Sequence, residues 1–209
     1  MKNKNNSTGA ILLAGGRSSR MGKDKGFLQF GPELLLERIL RIVDPFVDEI
    51  AIVLAHSMEV PKFDSPCSDK IIWTRDRVPF HGPLQGIVEG MEVLSEKPEK
   101  VFVLTCDLPY LSETWLQTLL KQFDESVSMV VSRQNDFPNP LLALYQRNEL
   151  ERAAKLLDQG ESKARLLIKD RKVHYISPEQ NSSIPSPIQD VNDPKSYDEA
   201  LRYFGYYPS

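Results

Sequence analysis

Residues 8–16 read TGAILLAGG, an apolar run of strand length that ends in two glycines. Consecutive apolar side chains predict a strand buried on both faces, because an amphipathic helix would be apolar only at every third or fourth position. Strands of that kind occupy the middle of parallel sheets whose two faces are covered by helices. Residues 8–14 are therefore predicted to form the first strand of such a sheet.

The rest of the chain alternates between strand-like and helix-like patterns. Further strands are predicted at residues 49–55, 71–74, 100–105, 128–132 and 141–145. Helices are predicted from residue 32 to near residue 44, at 83–94, after the N-cap Ser112, and at 149–157, 162–169 and 194–203. The alternation predicts an α/β fold with a mostly parallel central sheet and helices on both faces. We expect a single domain over residues 1–209, with a flexible N-terminus at 1–7 and an exposed loop at 178–188.

The composition is that of a globular protein, with 41% hydrophobic and 26% charged residues. A formal net charge of −3 argues against a nucleic-acid partner, which usually requires a surplus of Lys and Arg on one face. The two cysteines have neither zinc nor disulfide spacing, and Cys106 is predicted to be a small buried residue. No apolar run approaches the length of a membrane span. We therefore expect a cytoplasmic protein with reduced thiols and no membrane contact.

The loop after the first strand combines glycines with basic side chains. Residues 13–25 read LAGGRSSRMGKDK. Glycines let backbone N–H groups approach phosphate oxygens, and the basic side chains neutralise the phosphate charge. The spacing fits neither a P-loop nor a dinucleotide-binding fingerprint. From these residues alone, a tight strand-to-helix turn at Gly15 and Gly16 and a solvated basic loop remain alternatives.

Two further predicted strands are each followed by an acid. Asp76 follows the strand at 71–74, and Asp107 follows the strand at 100–105. Ligands of open α/β sheets bind outside the carboxyl ends of the strands, so both acids are expected near the glycine loop. Asp107 offers the hard oxygen ligands that Mg²⁺ shares with phosphates, although a turn or cap role is the alternative.

Taken whole, residues 13–25 resemble the motif Leu-Ala-Gly-Gly-x-Ser-x-Arg-Met-Gly-x-Asp-Lys of molybdenum cofactor guanylyltransferases, the molybdopterin-guanine dinucleotide biosynthesis protein A family. The resemblance implies a Rossmann-like nucleotidyltransferase fold. It implies GTP contacts from Leu13, Ala14 and Gly15. Lys25 would contact the phosphates of GTP, and Arg20 and Lys25 would act in catalysis by balancing the charge on the leaving pyrophosphate.

The resemblance extends to the loops with the two acids. Cys-Asp-x-Pro at 106–109 matches a metal-binding segment of the family, so Asp107 would bind Mg²⁺ together with GTP and act in catalysis. Gly-Pro-Leu-x-Gly at 82–86 also matches. Asp76, just before it, matches an aspartate that holds the guanine nucleotide. A carboxylate can accept from the N1–H and 2-amino donors of guanine, and contact with the base and contact with the ribose both remain open.

Four positions near the implied site depart from the family pattern or are only weakly supported. Asn139 stands where Gln or His often precedes Pro-Leu on the pterin side. In Val-Asn-Asp-Pro at 191–194, Asn192 matches an Asn near the active centre, whereas Asp193 replaces a Thr. His56 stands near the place of a frequent nucleotide-binding Asn. The roles of His56 and Asn192 remain open.

The resemblance implies transfer of GMP from GTP to molybdopterin, with pyrophosphate released and Mg²⁺ as the cofactor. Proteins that insert molybdenum or accept the product are further candidate partners. The alternative is a related enzyme with another base or acceptor, such as a molybdopterin cytidylyltransferase or a sugar-phosphate nucleotidyltransferase. The second glycine, Gly16, favours guanine because it admits a purine at close range.

Overall fold

The computed structural model describes residues 7–15, 25–61, 67–79, 81–124, 126–178 and 185–207. Within them the strands are β1 (Thr8–Leu13), β2 (Gln29–Phe30), β3 (Glu33–Leu34), β4 (Glu49–Leu54), β5 (Ile71–Arg75), β6 (Lys100–Thr105), β7 (Met129–Gln134), β8 (Phe137–Gln146) and β9 (Val173–Ile176). The α-helices are α1 (Leu35–Val43), α2 (Pro83–Val93), α3 (Glu113–Lys121), α4 (Arg147–Leu150), α5 (Arg152–Asp158) and α6 (Pro194–Tyr203).

Seven of these strands form one sheet, in the order β5-β4-β1-β6-β8-β7-β9. β1 pairs in parallel with β4 and β6, and β4 pairs in parallel with β5. β8 is antiparallel to both of its neighbours, β6 and β7, while β9 is parallel to β7. The predicted mostly parallel sheet is therefore confirmed, with one reversed strand.

The sheet is covered on both faces, as the apolar run of β1 requires. All six residues of β1 are buried. Ile11 and Leu13 belong to the core formed with α2 and α5, and Ala10 and Leu12 to the core formed with α1 and α3. A fully buried side chain of the size of Leu or Ile stabilises the fold by roughly 1.5–3 kcal/mol. The middle strand of the sheet is thus also a main source of its stability.

A third cluster of buried residues lies beside the end of β6, and we call it the C-terminal cluster. Its buried members are Phe30, Leu35, Tyr110, Val191 and Ala200, and its partly buried members are Tyr197, Leu201 and Phe204. It joins the β2–β3 hairpin, the loop after Asp107 and α6. The last part of the chain is therefore packed against the loop that carries a predicted site residue.

Several local predictions are confirmed. The side chain of Ser112 accepts a hydrogen bond from the backbone N–H of Trp115 and caps α3. α6 spans the predicted residues and is capped by the Asp193 side chain, which accepts from the Ser196 N–H at 2.8 Å. The replacement of a family Thr by Asp193 therefore retains a capping side chain.

The helix predicted at 162–169 is wrong, since only the 3-10 turn Ala164–Leu166 forms there. This single turn suffices to bury Ala164 and Leu167, which are three positions apart. The Leu167 carbonyl accepts a hydrogen bond from the Arg152 side chain at 3.1 Å, and the chain then turns into β9. β9 itself was not predicted.

The prediction of an exposed loop at 178–188 is wrong about the exposure of its last residue, because Ile188 is buried in the core of α1 and α3. The apolar side chain of Ile188 gains more from that core than from solvent. Residues 179–184 and 1–6 lie outside the described residues. The single-domain organisation and the flexible N-terminus stay predictions.

Candidate active site

Backbone hydrogen bonds bring the ends of four parallel strands to one edge of the sheet. The Ala14 N–H donates to Val53 O at 2.9 Å, and the Cys106 N–H donates to Leu13 O at 3.2 Å. The Asp76 N–H donates to Leu54 O at 2.9 Å. The edge therefore collects five predicted site residues, namely Leu13, Ala14, Gly15, Asp76 and Asp107.

Gly15 lies where two backbones approach too closely for a side chain. A Cβ added at Gly15 would lie 2.5 Å from the backbone nitrogen and 2.9 Å from the Cα of Ala55. Those atoms follow β4 and have no freedom to rotate away. Gly15 therefore has a packing reason of its own, independent of any phosphate contact.

The loop after β6 is held at three points, which fixes where Asp107 stands. The Val191 N–H donates to the backbone oxygen of Asp107 at 2.9 Å. Arg38 Nε donates to the Pro109 carbonyl at 2.9 Å, and Cys106 is bonded to β1 as described. The Asp107 side chain itself is half-buried. Because Val191 is bonded to Asp107, the chain also brings the exposed residue Asn192 to this edge.

Asp76 has a deeply buried carboxylate oxygen at this edge of the sheet. Its Oδ1 has no hydrogen-bond partner among the described residues. A Cβ added at Gly86 would lie 3.6 Å from that oxygen and 2.8 Å from Leu13, so the carboxylate lies beside the first turn of α2. Burial of the carboxylate is the main cause that raises the pKa of Asp76 to about 6, and the negative charge of Glu89 also raises it. His56 acts in the opposite direction and lowers this pKa. An unpaired acceptor of this kind is a candidate for contact with a ligand.

The Asp76 loop is held by His56, whose role the sequence left open, and by Glu89, which the sequence analysis did not single out. His56 Nδ1–H donates to the backbone oxygen of Asp76 at 2.9 Å. Glu89, on α2, has a side chain only 2% exposed and accepts from the Arg77 N–H at 3.3 Å and from Arg77 Nε at 3.0 Å. Gln85 also donates to Glu89, at 2.5 Å. Gln85 and Glu89 are four positions apart on a predicted helix, and that spacing is the feature of the sequence that indicates a contact between them.

The basic loop is the part of the predicted site that lies outside the described residues. Arg20 and Gly16 are among residues 16–24, and the side chain of Lys25 is likewise not described. The backbone of Lys25 begins the 3-10 turn Lys25–Phe27. A Cβ added at Gly26 would lie 2.9 Å from Cys106 Sγ, so the chain returns from the basic loop beside the Asp107 loop. Cys106 is buried, as predicted.

Asp107 is the carboxylate at this edge that was predicted to bind a metal. Within the described ranges, no three His, Cys, Asp or Glu side chains form a metal-binding group. Mg²⁺ is typically held by one or two carboxylates together with substrate phosphates and water. The half-buried carboxylate of Asp107 is compatible with that arrangement.

Comparison with known proteins identifies the family of the chain. The family model of the MobA-like NTP transferase domain matches residues 10–175. The chain belongs to this family. The resemblance inferred from residues 13–25 is thereby confirmed, and the match includes the loops with Asp76 and Asp107. Residues 185–207, which supply Val191 and α6, lie beyond the matched region.

Relatives of similar length span nearly the whole chain. A probable molybdenum cofactor guanylyltransferase from a Geobacillus species is 27% identical over 196 residues, covering 94% of this chain and 99% of the relative. A protein of the same name from Bacillus cytotoxicus is 28% identical over 203 residues, covering 93% and 96%.

Solved structures share the fold. Molybdopterin-guanine dinucleotide biosynthesis protein A from Archaeoglobus fulgidus aligns with a TM-score of 0.69 at 19% identity, covering 95% of this chain and 100% of that chain. A 4-diphosphocytidyl-2C-methyl-D-erythritol synthase from Anaerococcus prevotii gives 0.71 at 16% identity, covering 96% and 97%. The predicted nucleotidyltransferase fold is therefore confirmed. None of the helices in the described part of the chain is long and apolar enough to cross a membrane.

Proposed function

We propose that the protein transfers GMP from GTP to molybdopterin, forming molybdopterin guanine dinucleotide and pyrophosphate. The observation that carries the proposal is the convergence of Gly15, Asp76 and Asp107 at one edge of the sheet, in a member of this family. Two relatives along the full length of the chain are named probable molybdenum cofactor guanylyltransferases, which supports the same substrates.

The choice of guanine follows from the chemistry of Asp76. The buried Oδ1 needs a donor, and guanine offers two adjacent donors, N1–H and the 2-amino group. Cytosine and adenine present a ring nitrogen that accepts, so a carboxylate would face a lone pair there. The fold shared with a cytidyl enzyme does not bear on this choice, because it reflects architecture alone.

The reaction that we propose is an in-line displacement at the α-phosphorus of GTP. A terminal phosphate oxygen of molybdopterin forms the new P–O bond, and the bond to the β-phosphate oxygen breaks to release pyrophosphate. Lys25 and Arg20 hold the phosphates and balance the charge on the leaving group. Gly15 lets the backbone approach the triphosphate. Such chemistry depends on positioning and charge neutralisation, and does not require a strong general base.

Asp107 is the proposed ligand for Mg²⁺, which when bound neutralises phosphate charge and makes the α-phosphorus more electrophilic. A structural neighbour from Mycobacterium tuberculosis, with a TM-score of 0.65 at 14% identity over 94% of this chain and 98% of that chain, was solved in complex with manganese. Both cations prefer oxygen ligands. The backbone of Asp107 is fixed by Val191, so its carboxylate is held at the edge where the phosphates would lie.

The proposal predicts a preference for GTP over the other nucleoside triphosphates. Pyrophosphate release with molybdopterin and Mg²⁺ is expected to show a kcat/KM for GTP about 10- to 100-fold above those for CTP and ATP. That range corresponds to the roughly 1–3 kcal/mol lost when a buried polar group is left without its partner. Equal values for CTP and GTP would contradict the guanine assignment and favour a cytidylyltransferase.

GTP affinity is expected to fall in acid, because only ionised Asp76 accepts both guanine donors. With the pKa of Asp76 at about 6, the ionised fraction and hence the affinity should drop about tenfold from pH 7 to pH 5. Calorimetric titrations of wild type and Asp76→Asn over this range test the prediction. Titration of the γ-phosphate of GTP affects both proteins alike, so only the difference between them reports on Asp76.

The matched control for this titration is Asp136→Asn, which changes an exposed acid at the tip of the β7–β8 turn. It should keep the wild-type dependence on pH. A wild-type protein and an Asp76→Asn variant with parallel pH profiles would show that Asp76 does not contact the base.

A further inference from the structure

Arg38, on α1, joins three segments of the chain through one side chain. Its Nε donates to the carbonyl of Pro109 at 2.9 Å. Its guanidinium carbon lies 4.4 Å from the ring centroid of Phe204 and 5.8 Å from that of Phe30. The side chain is only 12% exposed. Such a buried, stacked guanidinium has little freedom to adopt another position.

Each of these three segments borders the proposed site. Pro109 is two residues after Asp107. Phe30 belongs to the hairpin that follows the turn at Lys25–Phe27, where the chain leaves the basic loop. Phe204 directly follows α6, and the segment before α6 bonds to Asp107 through the Val191 N–H. The Asp107 loop is therefore hydrogen-bonded to α1 through Arg38 and to the last part of the chain through Val191.

The ion pair of Arg38 with Glu33 is longer than that of Arg41 with the same residue. Arg38 NH1 lies 3.9 Å from Glu33 Oε1, whereas Arg41 lies 2.7 Å from the same oxygen and has a side chain 53% exposed. Burial lowers the pKa of Arg38, which means that its charge is held in an environment of reduced solvation. The negative charge of Glu33 acts against this lowering. The Pro109 carbonyl and the face of Phe204 add a charge-assisted hydrogen bond and a cation–π contact.

We propose that Arg38 is a positioning residue for Asp107, acting through the Pro109 carbonyl and clamped in place by Phe204. The part that concerns catalysis rests on the proposed function. By this account the C-terminal cluster helps to position the loop that carries Asp107, although it includes residues beyond the region that the family match covers. Neither Arg38 nor Phe204 contacts a substrate in this proposal.

Hydrogen exchange measured by NMR tests the positioning role without any substrate. The reporters are the N–H groups of Cys106, Leu111 and Val191, each hydrogen-bonded at or around the Asp107 loop. Arg38→Met keeps an apolar stem and removes the donor and the charge, so exchange at the reporters should rise at least tenfold. Arg41→Met, one turn along the same helix and paired with the same Glu33, is the control and should leave exchange within twofold of wild type. Equal rates in the two variants would overturn the proposal.

Steady-state kinetics separate positioning from simple destabilisation. At a temperature where thermal unfolding shows both variants folded, Arg38→Met should lower kcat about tenfold with KM for GTP within twofold of wild type. Arg38→Lys keeps a charged donor without the planar guanidinium, and should give intermediate exchange rates and kcat. It also serves as the test variant if Arg38→Met does not fold. The proposal would be overturned if Arg38→Lys and Arg38→Met had the same kinetics as Arg41→Met. An inactive wild-type protein would instead contradict the proposed function, and the exchange comparison would then decide the role of Arg38.

Discussion

Asp107→Asn is expected to lower kcat at least about 100-fold, equivalent to about 2.7 kcal/mol of transition-state stabilisation. The substitution keeps the shape and one oxygen of the side chain but removes the negative charge that attracts a divalent cation. Folding should change little, because the amide keeps the shape of the carboxylate and the backbone bonds from Val191 to Asp107 and from Arg38 to Pro109 are retained. The measurement is Mg²⁺-dependent pyrophosphate release, paired with thermal unfolding of the same preparation.

A matched substitution far from the site separates the loss of charge at Asp107 from the effect of removing one negative charge anywhere on the protein. Asp69→Asn removes an exposed charge in the turn before β5, at the opposite end of that strand from Asp76. Its kcat should stay within twofold of wild type. If Asp107→Asn retained near-normal turnover at limiting Mg²⁺ while its Tm fell, Asp107 would be a structural turn residue.

Gly15→Ala is expected to reduce kcat/KM about 100-fold. The added Cβ would lie 2.5 Å from the backbone nitrogen of Ala55, so the end of β1 and the end of β4 must separate. Overpacking of this kind costs about 1–3 kcal/mol of stability. A shift of about 1 Å in groups that position a substrate reduces activity by about 10²-fold. Binding of GTP and pyrophosphate release should therefore fail together in protein that is still folded.

The control is Gly9→Ala, at the other end of the same strand. A Cβ there would lie 3.2 Å from side-chain carbons of Pro98, a contact that the ring relieves by a small shift. We expect a modest fall in Tm and near-normal kcat/KM for Gly9→Ala. Similar kinetic losses in both variants would mean that the close approach at Gly15 has no special part in the site.

The parts of the fold that the sequence predicted well are those with a strong local signal. β1 and β6 are continuous apolar runs, and both are buried as expected. Ser112 and Pro194 mark helix starts by side-chain chemistry that depends only on neighbours in sequence. Prediction failed at 162–169, where two apolar residues at helical spacing are buried by a single turn. The pattern contains the spacing but not the hydrogen bond from Arg152 that ends the turn.

The same distinction applies to the candidate site. Asp76 and Asp107 could be placed near Gly15 from sequence because the carboxyl ends of parallel strands meet at one edge. The residues that hold those loops could not be found in this way. Arg38 and Pro109 are 71 positions apart, and His56 and Asp76 are 20 apart. Contacts of this kind depend on how elements pack, and a single sequence carries no local pattern for them.

The most direct test of guanylyl transfer is a mass balance with purified protein, GTP, molybdopterin and Mg²⁺. We predict that pyrophosphate and a product with the mass of molybdopterin guanine dinucleotide accumulate in equal amounts, and that neither forms when molybdopterin is left out. Pyrophosphate released without molybdopterin, or a dinucleotide formed equally well from CTP, would contradict the account.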